Sequence, residues 1–310
     1  MRAVVMPEYG SVEKLRMDEV PAPTISDGEV LIRVVNAGVN PVDWKVAAGY
    51  LDAAIPGEFP LIPGWDVAGV IEGVGGDITD FTVGDEVMGY VRYPRARWGT
   101  YGEYTKAEPH MITRRPQNLG WEESAGLPLA GLTAYQCLTA AQMREDDVVV
   151  IHAAAGGVGT MAVQLARAMG AKRIVGTASE RNHGYLNGLG AEAVTYGPGV
   201  IERIQECLGD DQPSLVLDFI GSEAVRASLP LVSDPKRIVS IADREVTSVG
   251  GTYVFVEPDA DDLDTLARMC EDGMLYVNVS QVFDLDDAAE AWEESQTGRT
   301  RGKIVLEVGR

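Results

Sequence analysis

The stretch Val148-Val149-Val150-Ile151-His152-Ala153-Ala154-Ala155-Gly156-Gly157-Val158-Gly159-Thr160-Met161-Ala162-Val163-Gln164-Leu165-Ala166-Arg167-Ala168-Met169-Gly170 reads as a buried strand, a turn of small residues and a helix. The apolar run ends at His152, and Val158, Ala162, Leu165, Ala166 and Met169 then recur at helical spacing. Between them lies the pattern Ala-x-x-Gly-x-x-Gly, Ala153 to Gly159. Gly156 and Gly157 let backbone come close to a pyrophosphate, and Gly159 lets the helix pack on the strand. The N–H groups at the helix start then point at the anion. Strand, small turn and helix in this order predict a dinucleotide-binding turn, with a ligand-free tight connection as the alternative.

Working outward, strands are expected near 148–152, 172–177, 193–196, 214–218, 237–241 and 252–256. Helices are expected near 158–169, 181–189, 199–208 and 222–230. Short apolar strands alternating with helices imply a doubly wound parallel sheet of α/β type. Before it, residues 29–36, 67–74 and 83–91 read as strands separated by Gly-rich turns, so the first 120 or so residues are β-rich and barrel-like. Residues 122–142 are helical with a break at Leu127-Pro128. After the sheet come helices near 263–273 and 286–297 and strands near 277–282 and 303–308.

Bulk properties exclude several classes of function. The 310 residues carry a net charge of −21, which repels nucleic acid and anionic membranes. Acidic residues crowd two late stretches: Glu257, Asp259, Asp261, Asp262 and Asp264, then Asp284, Asp286, Asp287, Glu290, Glu293 and Glu294. They fit either a solvated helix face or a surface adapted to a salty cytoplasm, where screening removes the self-repulsion. Cys137, Cys207 and Cys270 are few and scattered, as reduced thiols are. No apolar run reaches the roughly 18 residues of a membrane helix. The N-terminus enters a strand-like run with no signal-peptide pattern, so a cytoplasmic protein is expected.

The second strand of the sheet bears on the choice of nucleotide. An NAD site places a carboxylate at its end to bind the ribose 2′-hydroxyl. Here the strand ends Thr177-Ala178-Ser179, followed by Glu180 and Arg181. Ser179 can donate to a 2′-phosphate and Arg181 can pair with it, which favours NADPH. A polar helix cap with a surface cation is the alternative.

Four ordered stretches and the C-terminus resemble one family. Ala153 to Gly159, followed by Val163-Gln164-Leu165-Ala166, is similar to the signature of the zinc-free quinone oxidoreductase branch of the medium-chain dehydrogenase/reductase superfamily. Ala37-Gly38-Val39-Asn40-Pro41-Val42-Asp43, Pro63-Gly64-Trp65-Asp66-Val67-Ala68-Gly69, Leu129-Ala130-Gly131-Leu132-Thr133-Ala134-Tyr135 and Thr300-Arg301-Gly302-Lys303-Ile304-Val305-Leu306 resemble its other motifs. The resemblance implies a β-rich, GroES-like catalytic domain at 1–121 and 259–310, and a Rossmann NADP-binding domain at 122–258. It also implies an active site in the cleft between them and a homodimer.

Zinc members of that superfamily carry Cys where Asn40 stands and His-Glu where Trp65-Asp66 stands. Zinc takes about three Cys, His or carboxylate ligands, so no metal is expected here. A quinone or α,β-unsaturated carbonyl can accept hydride from NADPH without one. By resemblance, Asn40 lies beside the nicotinamide and acceptor, Thr133 nears the nicotinamide end, and Tyr196 contacts the phosphate or adenosine side. Arg301 and Lys303 help close the cofactor cleft. Ala155, Gly156, Gly157, Val158, Gly159, Thr177, Ser179, Arg181 and Phe255 complete the expected cofactor contacts. Asp43 and Lys45 are candidates for polarising the acceptor oxygen or relaying a proton, an ion pair on the loop being the alternative. Tyr50 and Trp65 shape the acceptor pocket or pack the core. The leading reading is an NADPH-dependent quinone or enone reductase. The alternatives are an enoyl-thioester reductase and a non-catalytic NADPH-binding protein.

Overall fold

The structure is a computed structural model that describes residues 1–221 and 223–309. Its chain opens with an antiparallel pair, β1 (Arg2–Val5) and β2 (Arg16–Glu19). Strand β3 (Val30–Val39) follows; its buried and half-buried positions alternate until Ala37, beyond which every position is buried. Helix α1 (Pro41–Ala47) starts with proline, whose missing N–H is no loss at a first helical position. Then come β4 (Gly57–Ile62), β5 (Asp66–Val74), β6 (Glu86–Tyr90), β7 (Ala96–Trp98), β8 (Tyr104–Ala107) and β9 (Ile112–Arg114). The Leu127-Pro128 break separates α2 (Trp121–Gly126) from α3 (Pro128–Ala140), as the sequence predicts.

The next segment alternates strand and helix: β10 (Val148–His152), α4 (Gly157–Ala168), β11 (Arg173–Ala178), α5 (His183–Leu189), β12 (Glu192–Thr195), α6 (Val200–Leu208), β13 (Leu215–Asp218), α7 (Glu223–Ser228), β14 (Ile238–Ser240) and β15 (Thr252–Tyr253). The start of the helix expected at 222–230 lies outside the described residues. The strand expected at 252–256 is shorter, Thr252–Tyr253, and pairs with β14 alone. The chain closes with α8 (Ala260–Glu271), β16 (Val279–Asp284), α9 (Ala288–Gln296) and β17 (Lys303–Glu307).

Two compact units result: Met1–Leu132 with Glu257–Gly273 and Val277–Arg310, and Thr133–Val256 with Met274–Tyr276. The division falls after residue 132 rather than at the expected 121, because α2 packs on β3, β5 and β17 of the first unit. In the first unit a seven-stranded sheet runs β16-β17-β3-β5-β6-β9, with β8 also paired to β3. In the second, six strands run β12-β11-β10-β13-β14-β15, every pair parallel, the order of a doubly wound nucleotide-binding sheet. Val150, Val175, Val216 and Ile238 of its central strands are fully buried, as two covered faces require.

Candidate active site

Sheet register assembles a buried polar cluster in the first unit. In the β3–β5 pairing Gly38 lies opposite Asp66, and in the β17–β3 pairing Ile304 lies opposite Val39. Asn40, Asp66 and Lys303 thus converge at one end of three neighbouring strands. Asn40 Nδ2 donates to Asp66 Oδ2 at 2.8 Å, and Lys303 Nζ donates to Asn40 Oδ1. Lys303 Nζ also donates to the Val39 carbonyl at 3.2 Å and lies 3.6 Å from Asp66 Oδ2. Asp66 Oδ1 accepts from the Leu129 N–H at 2.7 Å. Both Asp66 oxygens therefore face N–H donors, which is the geometry of a carboxylate. Burial pushes the Asp66 carboxyl up and the Lys303 ammonium down, while each charge favours the other's ionised form.

A second branch joins at α1. Asp43 Oδ2 accepts from the Asn40 N–H and the Tyr101 hydroxyl, both at 2.8 Å, and Trp292 Nε1 donates to the Tyr101 oxygen at 3.2 Å. Gly64 makes room for this branch: its φ is +89°, and a Cβ there would lie 2.3 Å from the Tyr101 ring. Burial raises Asp43 to about 7, against the opposing hydrogen bonds from Asn40 and Tyr101. Asp43 Oδ1 is buried with no hydrogen-bond partner. Asp43, Trp65, Tyr93 and Trp98 line a narrow cavity of ≈ 20 Å³, with Arg95 and Arg97 also on its wall. Among the described residues, no group of three or more His, Cys, Asp and Glu side chains could hold a metal ion.

Two lysines depart from expectation. Lys45 does not pair with Asp43: it is exposed, with Nζ 5.4 Å from the Trp44 ring centroid, and the cation acting on Asp43 is Lys303. Lys303, expected on the cofactor cleft, is 3% exposed and is spent on Asn40 and Val39 within the first unit. Tyr50 is 73% exposed, which excludes core packing for it. Trp65 is buried, edge-on to Tyr90. Arg301 is exposed, and its carbonyl accepts from Asn278 Nδ2. Tyr101 and Trp292 escaped the sequence reading, since their contact spans 191 residues.

In the second unit the small-residue turn sits between β10 and α4. Ala153 takes a left-handed φ of +56°, and Thr177 Oγ1 accepts from its N–H at 3.2 Å. Thr177 is itself buried, and its hydroxyl, 3.4 Å from His152 Nδ1 as well, helps hold the turn. A Cβ on Gly159 would lie 2.3 Å from the Ala153 carbonyl oxygen, which dictates glycine there. Gly156 is the N-cap of α4 and no side chain caps that helix, so its first N–H groups have no capping acceptor. Gly156, Gly157 and Val158 are half-exposed and Ala155 is buried. These residues fit a pyrophosphate.

The remaining cofactor candidates lie further along. Ser179 Oγ accepts from Asn182 Nδ2 at 3.3 Å, and Arg181 is exposed in the next turn. Tyr196, just past β12, is 58% exposed; Phe255 is half-buried and Thr133 is buried in α3. His152 is a core residue, hydrogen-bonded to Ser228 Oγ at 2.8 Å, and burial lowers its pKa.

Known proteins bear on both units. Residues 26–144 match the family model of the alcohol dehydrogenase GroES-like domain, and residues 189–306 match that of the zinc-binding dehydrogenase domain. The chain is 32% identical to an NADPH-dependent alkenal/one oxidoreductase of Arabidopsis thaliana, covering 99% of this chain and 79% of that protein. It is 30% identical to the chloroplast envelope quinone oxidoreductase homolog of the same plant, covering 99% and 98%. Among solved structures, the quinone oxidoreductase from Coxiella burnetii superposes with a TM-score of 0.89 at 30% identity, covering 100% of this chain and 99% of that one. With matches running the length of both units, the chain belongs to the quinone oxidoreductase branch of the medium-chain dehydrogenase/reductase superfamily.

Proposed function

We propose that this oxidoreductase transfers hydride from NADPH to a quinone or an α,β-unsaturated carbonyl without zinc. The observation that carries the reading is the Lys303 ammonium seated between Asn40 and Asp66. Zinc needs about three Cys, His or carboxylate ligands. Asn40 and Trp65 are poor donors, and the Asp66 carboxylate already serves Leu129, Asn40 and Lys303. The residues present do not fit zinc. The kinship with an NADPH-dependent alkenal/one oxidoreductase and with quinone oxidoreductases supports an acceptor that needs no Lewis acid.

When bound, the nicotinamide nucleotide supplies the hydride. The uncapped start of α4 would receive its pyrophosphate, and Ser179 and Arg181 would meet its 2′-phosphate. Asn40 would orient the reacting partners. Asp43 holds its proton with a pKa of about 7, and Oδ1 has no competing partner, so it can accept or return a proton near neutral pH. The reading includes a cytoplasmic homodimer, for which the β15 edge offers a strand that a second copy can cover.

The test is NADPH oxidation followed by absorbance with 1,4-benzoquinone, 9,10-phenanthrenequinone, an enone and an enoyl-CoA, NADH serving as control. Turnover of quinone or enone with preference for NADPH is expected, unchanged after dialysis against a chelator. Activity that disappears with the chelator and returns with zinc would overturn the zinc-free reading. NADPH binding without turnover of any acceptor would leave a binding protein. In Arg181→Ala the NADPH preference should shrink by about tenfold, one charge-assisted contact being worth about 1.5 kcal/mol or more.

A further inference from the structure

An asparagine amide has two ends of opposite character, one acceptor and one donor. At Asn40 these ends meet opposite charges: Oδ1 accepts from the Lys303 ammonium and Nδ2 donates to the Asp66 carboxylate. Flipping the amide would turn N–H groups onto an ammonium and a carbonyl oxygen onto a carboxylate. Two charge-assisted hydrogen bonds would become two repulsions, so only one orientation is allowed. Bulk solvent is shut out, Asn40, Asp66 and Lys303 being 2%, 0% and 3% exposed.

The fold builds this clamp deliberately. Gly302, with φ +81°, turns the chain into β17, and a Cβ there would lie 2.2 Å from the Asn278 carbonyl oxygen. Lys303 follows directly, beside Asn40 through the β17–β3 register. A buried ammonium is weak as a stabilising device, since an apolar residue of similar volume would serve at least as well. Its cost is accounted for if it orients a neighbour.

We propose that Lys303 is a positioning residue for hydride transfer: its ammonium, opposed across Asn40 by Asp66, holds the Asn40 amide in one orientation. This rests on the reading of Asn40 as the side chain that orients the reacting partners.

A double-mutant cycle tests it, with Lys303→Met, Asn40→Ala and both together. The readouts are kcat for a quinone at saturating NADPH and the NADPH Kd from fluorescence. Lys303→Met should lower kcat about tenfold or more, as misplacement of a reacting group does. It should move the NADPH Kd by less than about twofold, and add little once Asn40 is gone. An equal loss in both backgrounds would show that Lys303 does not act through Asn40. A raised NADPH Kd with normal kcat would make it a cofactor contact. Either result overturns the proposal. Full turnover in Asn40→Ala sinks the reading of Asn40 itself, a separate result that leaves nothing to position. Should Lys303→Met fail to fold, the charge-neutral Lys303→Met/Asp66→Asn variant replaces it. Restored folding with turnover still depressed supports the clamp, and restored turnover refutes it.

Discussion

Asp43 shows how one buried carboxyl couples stability to pH. Burial raises its pKa to about 7, against an ordinary 3.8, so the folded chain holds this proton more tightly than the unfolded chain. The stabilisation is complete below the unfolded value and is lost as pH rises through the folded one. Between about pH 5.5 and about pH 8 this single group should cost roughly 2 kcal/mol. In Asp43→Asn the side-chain oxygen can still accept from Asn40 and Tyr101, and the new NH2 stands where Oδ1 has no partner. Urea midpoints of the two proteins should therefore draw closer toward the acid end and separate, with the variant more stable, at the alkaline end. Parallel curves would mean that Asp43 is ionised throughout. Asn40 and Asp43 were legible as candidates because they follow a strand in a recognisable loop. The role of Lys303 was not, because strand register, invisible in a single sequence, is what puts it beside Asn40.

At the scale of elements, the β10–α4 turn was the most legible part of the chain, since steric demand there acts on consecutive residues. Two of its glycines make different predictions. On Gly159 a Cβ would lie 2.3 Å from the Ala153 oxygen and 2.6 Å from the Ala154 Cα, backbone atoms that cannot move aside cheaply. Gly159→Ala should lose about 1–3 kcal/mol of stability as well as nucleotide binding. On Gly156 the nearest atom to a Cβ is 3.4 Å away and φ is −75°, so the fold tolerates alanine. If a pyrophosphate approaches that backbone, Gly156→Ala should keep its melting temperature yet bind NADPH about tenfold more weakly. Unchanged binding in Gly156→Ala would place the phosphates elsewhere. Thr177 illustrates the limit of reading spacing: it stands where a cofactor contact was expected, and its hydroxyl also accepts from the Ala153 N–H. Only the packed turn reveals that structural role.

For the whole molecule the dominant electrostatic fact is a net charge of −21. Local structure uses part of it. Asp259 caps α8 by accepting from the Asp262 N–H, Asp261 and Asp262 lie in that helix's first turn, and Glu290 lies in the first turn of α9, where negative charge is favoured. Arg2 pairs with Asp286 and Arg268 with Asp264, but these partners are largely exposed, and such pairs contribute at most about 1 kcal/mol each. The 47 acidic side chains far outnumber the 26 lysines and arginines, so general repulsion should outweigh the local gains. Added salt shortens the screening length from about 10 Å at 0.1 M to about 3 Å at 1 M, which weakens both effects but removes the long-range one more completely. The melting temperature should therefore rise with KCl across that range, each kcal/mol of relief appearing as roughly 2–4 °C. Sodium sulfate would strengthen apolar burial as well, so chloride is the cleaner probe. A melting temperature that stays level or falls would mean that local pairs and helix-end charges already balance the excess. The acidic stretches would then serve solubility alone. A rise accompanied by faster NADPH oxidation in molar KCl would identify a surface suited to a salty interior.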